Sequence, residues 1–191
     1  MIGGSATEVP DCIRETAQRP PRLVRAMPVT STRIDFRPIA LRSIFELVHK
    51  MVQQYQVAPQ LTLAIIAAES NFDSLALSPK NVQGLMQLIP QTSACFYPSN
   101  AFDPAQNIRS GLSYLRWLLA YFQGDVALVA AAYNAGEGRV KHYQEGRLIW
   151  VTRAYIQRIL NAMGTPTHPF DASVTRPSPA LALIRPPWLV K

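Results

Sequence analysis

Apolar residues recur at intervals of three and four positions through the middle of the chain, which is the spacing of one face of an α-helix. A first amphipathic helix is predicted by the set Ile44, Leu47, Val48, Met51, Val52 and Tyr55. A second is predicted to begin at Pro59, because proline suits the first helical turn, and to run to Ser70. Strand-like alternation is almost absent, so we expect a mostly α-helical domain with at most a small hairpin between Asn71 and Gln83.

The second half of this region carries helix start and stop signals. In "FDPAQN", Asp103 is suited to cap a helix and Pro104 to occupy its first position. The apolar face of the long helix that follows comprises Ile108, Leu112, Leu115, Leu119 and Phe122. The letters "QGD" at 123–125 end it, Gly136 is available to close the next short helix, and a last helix is predicted over about 151–163.

Proline is concentrated at both ends of the chain. Residues 1–38 form a basic, proline-rich segment, and residues 164–191 form a second proline-rich segment. Because proline removes a backbone donor and opposes helix continuation, we expect both to be poorly structured, as an N-terminal arm and a C-terminal tail. The expected domain therefore spans residues 39–163.

Composition and charge narrow the class of protein. A chain of 191 residues with 48% hydrophobic residues can bury the core of a single globular domain. Its formal charge of +7 implies attraction to polyanions such as nucleic acid, anionic lipid or bacterial cell wall. The arginines of the first segment lack interleaved aromatic residues, so we expect no nucleic-acid partner. The two proline-rich terminal segments are either electrostatic tethers or solvated linkers, and we favour linkers.

The sequence has no clear pattern for a metal site, a membrane-spanning helix or an export signal. Cys12 and Cys95 have no metal-ligand spacing, and the three histidines are scattered, so no structural metal is expected. We favour two unlinked thiols over one disulfide. No uncharged apolar run reaches the roughly 18–20 residues that span a bilayer, so no membrane span is expected. The first thirty residues lack a signal-peptide pattern.

One carboxylate stands at the end of an apolar stretch. In "LAIIAAESNFDS", Glu69 lies near the C-terminal end of the predicted second helix, with Ile65 and Ile66 one turn below it. Desolvation and the negative end of a helix both raise a carboxyl pKa, and a protonated acid suits cleavage of a glycosidic bond. From this residue alone, a solvent-facing glutamate at a helix end is the favoured interpretation.

Several separate motifs favour a catalytic role for Glu69 over a solvent-facing glutamate. The stretch "ESNFDSLALSPKNVQGLMQLIPQT" is followed in order by "SYL" at 113–115, "YNAG" at 133–136 and "TRAYIQRIL" at 152–160. Over about 59–160 the chain resembles the catalytic domain of the soluble lytic transglycosylase family, which is similar in fold to goose-type lysozyme. The resemblance implies a mostly α, lysozyme-like α+β domain with a substrate cleft, monomeric and needing no metal or cofactor.

The resemblance also implies a reaction on peptidoglycan glycan strands. Glu69 matches the catalytic acid that protonates the bond between N-acetylmuramic acid and N-acetylglucosamine. It then accepts the proton of the muramoyl 6-hydroxyl, which attacks its own anomeric carbon and gives a 1,6-anhydro sugar. An internal nucleophile removes the need for the second carboxylate that ordinary glycosidases use.

Other matched residues are implied to bind the glycan. Ser78 matches a serine near the acetamido group of the muramoyl unit, and Tyr133 matches the tyrosine whose hydroxyl faces the acid. The remaining matches in the cleft are Gln87, Tyr114, Asn134 and Tyr155. Taken alone, Ser78 could be a turn residue, the tyrosines core residues and Asn134 a helix end.

The sequence departs from the family pattern at two positions. Glu137 stands in "YNAGEG" where the family commonly has proline, and Val151 stands before "TR" where a glutamate is usual. The second departure puts contacts at the far side of the cleft in doubt.

Three functions therefore compete. A lytic transglycosylase is favoured over a hydrolytic muramidase and over a non-catalytic peptidoglycan-binding module. The resemblance further implies the bacterial periplasm or cell wall as location, with local wall opening for a secretion or conjugation machine as the biological setting. Because no export signal is visible, we expect a misplaced start site or a dedicated export route.

Overall fold

The computed structural model describes residues 38–96, 100–143 and 150–182. Within these ranges the α-helices are α1 Pro38–Tyr55, α2 Pro59–Glu69, α3 Pro90–Phe96, α4 Pro104–Tyr121, α5 Val126–Ala135 and α6 Trp150–Met163. Short 3-10 helices span Glu137–Tyr143 and Pro179–Ala182. The predicted mostly helical fold is confirmed, and α3 is the helix that the apolar pattern did not predict.

Two aspartates start the helices α4 and α5. Asp103 Oδ1 accepts a hydrogen bond from the backbone N–H of Gln106 at 2.8 Å, as its position before Pro104 predicts. Asp125 caps α5 in the same way, accepting from the N–H of Leu128 at 3.0 Å. Burial raises the pKa of Asp125, and hydrogen bonds from the backbone of α5 partly offset that rise.

Helix α5 forms the centre of the domain. All ten of its residues are buried, because the sequence "VALVAAAYNA" is apolar on every side and its alanines allow close approach of neighbours. It packs against α4 and α6, and α6 also packs against α2. Gly136 ends α5 with a φ of 92° and a ψ of 141°, so the helix ends at the predicted glycine, but the backbone there is not in the left-handed helical conformation. This packing brings the C-terminal end of α2 next to α6.

The predicted hairpin is reduced to isolated bridges. Leu77 pairs with Gln83, and Gln83 pairs with Leu88, within the loop that joins α2 to α3. Asn107 on α4 fastens this loop, because its side-chain oxygen accepts from the N–H of Met86 at 2.8 Å. Its amide nitrogen donates to the carbonyls of Ala101 and Gln83 at 2.9 and 3.1 Å. One buried side chain of α4 thus helps to hold the loop on the domain.

The segment after α6 packs against the helices, so the prediction of a poorly structured tail is wrong for residues 164–182. The N–H of Val126 donates to the carbonyl of Pro166 at 3.0 Å, which shows that proline remains a good acceptor. His168 is buried, and its Nε2 accepts from the N–H of Ala58 at 2.8 Å, just before α2 begins. This segment therefore supports the start of the helix that ends at Glu69.

An ion pair joins the same segment to α4. Arg116 Nη2 lies 2.8 Å from Asp171 Oδ2. Hydrogen bonds from the hydroxyl and N–H of Ser173, together with Arg116, lower the pKa of Asp171 to about 2. The folded state therefore binds this proton more weakly than the unfolded chain does.

Replacing Asp171 by asparagine is expected to make the unfolding free energy less dependent on pH in the acidic range. A depressed folded-state pKa contributes stability above the ordinary value of 3.8, and that stability is lost as the pH falls toward about 2. Urea unfolding of both proteins should show wild type more stable at neutral pH and the gap closing at about pH 2. A gap that stays constant across this range would contradict the assignment.

Other predictions concern cysteines, arms and membranes. Cys95 is disulfide-bonded, so the expectation of an unlinked thiol is wrong for this residue. Cys12 and the N-terminal arm up to residue 37 lie outside the described residues. Within the described ranges, no helix combines the length and apolar character that crossing a bilayer requires.

Candidate active site

Glu69 is the last residue of α2 and lies half-exposed above an apolar base. Ile65 and Ile66, one turn earlier, are fully buried. The hydroxyl of Tyr155, on α6, donates a hydrogen bond to Glu69 Oε1 at 3.1 Å. The carboxyl group therefore has the surroundings expected from the sequence, an apolar base and an open side, with one phenol holding its orientation.

The loop after Glu69 has a constrained backbone. Asn71, Phe72 and Gln87 have positive φ values of 51°, 65° and 47°. Such conformations cost about 1–3 kcal/mol for residues other than glycine and persist when packing enforces them. Phe72 is held by stacking on Phe45 of α1, with ring centroids 5.5 Å apart. The loop that carries the next candidate residues is therefore fixed at both ends.

Ser78 closes a turn in this loop. Its hydroxyl oxygen accepts from the N–H of Val82 at 3.1 Å and from that of Lys80 at 3.3 Å. A hydroxyl that accepts twice still has its one proton to donate. Ser78 therefore has the turn role that its position before Pro79 suggested, and its side chain can also donate to a carbonyl such as that of an acetamido group.

Gln87 lies in the wall of a pocket beyond the loop. Its side-chain nitrogen donates to the carbonyls of Ala76 and Gly84, both at 2.9 Å. Because both amide protons are used inside the loop, only the side-chain oxygen can serve a ligand, as an acceptor. Gln87 is thus a structural part of the loop as well as a lining residue.

A small pocket is formed by Gln87, Leu88, Ile89, Thr92, Tyr114, Tyr133 and Gly136. The rings of Tyr114 and Tyr133 lie 5.4 Å apart. The hydroxyl of Tyr133 donates to the carbonyl of Met86 at 2.9 Å. Its single proton is therefore used by the protein, and the hydrogen bond that Glu69 accepts at 3.1 Å comes from Tyr155 and not from Tyr133.

Asn134 is buried, as Tyr155 is. It is 2% exposed, and its side-chain oxygen accepts from the hydroxyl of Thr152 at 3.1 Å. Its side-chain nitrogen has no hydrogen-bond partner in the part of the chain that the structure describes. Asn134 therefore joins α5 to α6 behind the pocket wall.

Sequence reasoning missed a buried carboxylate in this region. Glu137 is 7% exposed and accepts a hydrogen bond from the hydroxyl of Tyr114 at 3.4 Å. The sequence signalled it only as a departure from the usual proline. A polar residue that replaces proline directly after a helix-ending glycine was the available signal.

The described residues thus form a helical domain that carries a partly buried glutamate held by Tyr155 and a pocket lined by Tyr114 and Tyr133, of which Glu69 is not a lining residue. Residues 46–148, more than half of the chain, match the Transglycosylase SLT domain family. The chain therefore belongs to this family, as the sequence motifs predicted. The match includes Glu69 and the pocket residues, and Tyr155 lies just beyond it.

Individual relatives agree with this membership. The chain is 35% identical over 120 residues to a membrane-bound lytic murein transglycosylase C of Actinobacillus pleuropneumoniae serotype 5b, covering 53% of the chain and 33% of that protein. It is 32% identical over 134 residues to the protein of the same name from Haemophilus influenzae strain PittGG, covering 60% and 36%. The chain thus spans about a third of the length of these relatives.

A solved structure supports the fold. The lytic transglycosylase Slt of Pseudomonas aeruginosa superimposes with a TM-score of 0.57 at 28% identity, covering 72% of the chain and 26% of that protein. The predicted lysozyme-like, mostly helical fold is confirmed.

Proposed function

We propose that this domain cleaves the β-1,4 bond between N-acetylmuramic acid and N-acetylglucosamine in peptidoglycan, with formation of a 1,6-anhydro-muramoyl end. The observation that carries the proposal is the half-exposed Glu69 above buried isoleucines, hydrogen-bonded by Tyr155 at 3.1 Å. Membership of the Transglycosylase SLT domain family supports the substrate class.

One carboxyl group performs both proton transfers in this reaction. Protonated Glu69 gives its proton to the glycosidic oxygen as the bond to the anomeric carbon breaks. The muramoyl 6-hydroxyl attacks that carbon, and the carboxylate of Glu69 takes the hydroxyl proton. Glu69 is thereby returned to its starting state, and no water is consumed.

The hydrogen bond from Tyr155 suits these two roles, because it fixes the position of the Glu69 carboxyl group. We propose that Ser78, Gln87, Tyr114, Tyr133 and Asn134 position the glycan, the first four by contact and Asn134 by holding α5 against α6.

Hydrolysis by an activated water is the competing reaction. In that reaction a water would attack the anomeric carbon in place of the muramoyl 6-hydroxyl. Both reactions release soluble fragments from purified peptidoglycan, whereas a binding module sediments with the polymer and leaves its mass unchanged. Release of soluble fragments would therefore support an enzyme, and binding without release would refute it.

The proposed setting follows from the proposed substrate and from the charge of the chain. We place the domain at the bacterial wall or periplasm, where it opens peptidoglycan locally for a secretion or conjugation machine. The net charge of +7 supports work beside an anionic polymer. A deletion strain that loses transfer through such a machine but keeps normal growth would support this setting, and intact transfer would refute it.

A further inference from the structure

Three short stretches of the loop between α2 and α3 lie side by side. Gln83 is in the middle stretch, because it pairs with Leu77 on one side and with Leu88 on the other. With Leu88 it exchanges two backbone hydrogen bonds, at 3.0 and 3.1 Å. Leu77 has no second bridge partner in the part of the chain that the structure describes, so it lies at an edge of this small arrangement.

The backbone groups of Leu77 point out of that edge. The hydrogen bonds of its bridge join the neighbouring residues: the N–H of Ser78 donates to the carbonyl of Val82, and the N–H of Gly84 donates to that of Ala76, both at 2.9 Å. In an antiparallel pair of this kind, the N–H and C=O of the paired residue itself face the other side. Among the described residues, neither group of Leu77 has a hydrogen-bond partner. Such an edge can pair with a peptide that is added as a further strand.

Apolar side chains accompany the free backbone groups. Leu77 is 60% exposed and Leu75, two positions earlier, is 70% exposed. The loop thus holds two of the three large hydrophobic side chains that are exposed within the described ranges, the third being Phe170. Lys80 is exposed as well, and its ammonium group forms no ion pair with any described residue. A donor, an acceptor, two leucines and a cation together suit a peptide that carries a carboxylate, whereas a sugar offers little apolar surface.

The edge is continuous with the proposed glycan site. Gln87, a lining residue of the pocket, donates from its side-chain nitrogen to the carbonyl of Ala76 at 2.9 Å. Ser78 directly follows Leu77 and is proposed to contact the acetamido group of the muramoyl unit. In peptidoglycan that unit carries its peptide on the ring carbon next to the acetamido group. A peptide on the bound sugar would therefore begin near Leu77.

We propose that the backbone N–H and C=O of Leu77 bind one amide unit of the peptide that peptidoglycan strands carry, with the side chains of Leu75 and Leu77 covering it. The Lys80 ammonium group attracts a carboxylate of the same peptide. This assignment rests on the proposed function, because the glycan brings the peptide to the edge. It adds affinity for the substrate and takes no part in the proton transfers of Glu69.

The test compares glycan strands that carry peptides with the same strands after an amidase has removed the peptides. Wild-type protein should have a KM about threefold to tenfold lower on the peptide-bearing strands, the range of one hydrogen bond, with kcat within about twofold on the two substrates. Leu77→Pro removes an N–H that the described protein does not use, and proline is tolerated at a sheet edge. It should bring the two KM values to within about twofold of each other by raising the one for peptide-bearing strands.

Two further variants separate peptide binding from support of the fold. Phe170→Ser removes the other exposed hydrophobic side chain and should leave the ratio of the two KM values as in wild type. If Leu77→Pro does not fold, Leu75→Ser combined with Leu77→Ser removes the apolar cover and should reduce the ratio at least about twofold. A variant at Leu77 that raises KM equally on both substrates would overturn the inference, because the edge would then serve the sugars or the fold.

Failure of the proposed function gives a different result. Wild-type protein that cleaves neither kind of strand would overturn the proposed function and this inference together. Wild-type protein that cleaves both kinds with equal KM would overturn the inference alone.

Discussion

Replacing Glu69 by glutamine is expected to lower the rate of peptidoglycan cleavage by about a thousandfold, because one positioned acid and base contributes about 10²–10⁴ in rate. Glutamine keeps the size of the side chain and can still accept the hydrogen bond from Tyr155, so the fold should persist. Release of soluble fragments measures the rate, and circular dichroism checks the fold.

The matched control is Glu46→Gln, which removes a glutamate from an exposed ion pair with Arg42 on α1. It should retain wild-type activity, since exposed pairs contribute little. A Glu69→Gln protein that is as active as this control would show that Glu69 is not the catalytic acid.

Replacing Gly84 by alanine is expected to destabilise the protein by about 3 kcal/mol. Gly84 has a φ of 73°, and an added Cβ would lie 2.1 Å from the carbonyl oxygen of Ala101 and 2.5 Å from Asn107 Nδ2. The loop and α4 would have to separate, which would disturb the bonds by which Asn107 holds the loop. Chemical denaturation measures the loss.

Gly164 offers a control with the same backbone conformation. Its φ is 70°, but an added Cβ there meets nothing within 4 Å. Gly164→Ala should therefore cost only about 1 kcal/mol, the penalty of the left-handed conformation itself. Equal losses of unfolding free energy in the two variants would mean that the close packing around Gly84 adds nothing to the cost of the substitution.

Local signals in the sequence predicted the elements that local chemistry determines. Asp103 before Pro104 predicted a helix start, and Gly136 predicted a helix end, because caps act within a single turn. The position of Glu69 at the end of an apolar helix was likewise predicted correctly. The family was predicted from several motifs that occur along the chain in the order typical of that family.

The sequence alone did not predict the contacts between residues that are distant along the chain. Asn107 and His168 have ordinary local surroundings, yet each bonds a segment distant along the chain, at Met86 and at Ala58. The proline content after Gly164 predicted a loose tail, although proline carbonyls and the intervening N–H groups remain available for pairing. The hydrogen bond between Glu137 and Tyr114 could not be predicted for the same reason, since 23 positions separate the two residues along the chain.

The mass of the sugar ends released from purified peptidoglycan tests the central claim most directly. If Glu69 acts alone with the muramoyl 6-hydroxyl as internal nucleophile, the muramoyl ends should be 1,6-anhydro sugars, lighter by one water than hydrolytic products. Digestion in ¹⁸O-labelled water should leave these ends unlabelled. Reducing muramoyl ends that carry the label would contradict the account and identify a hydrolytic muramidase.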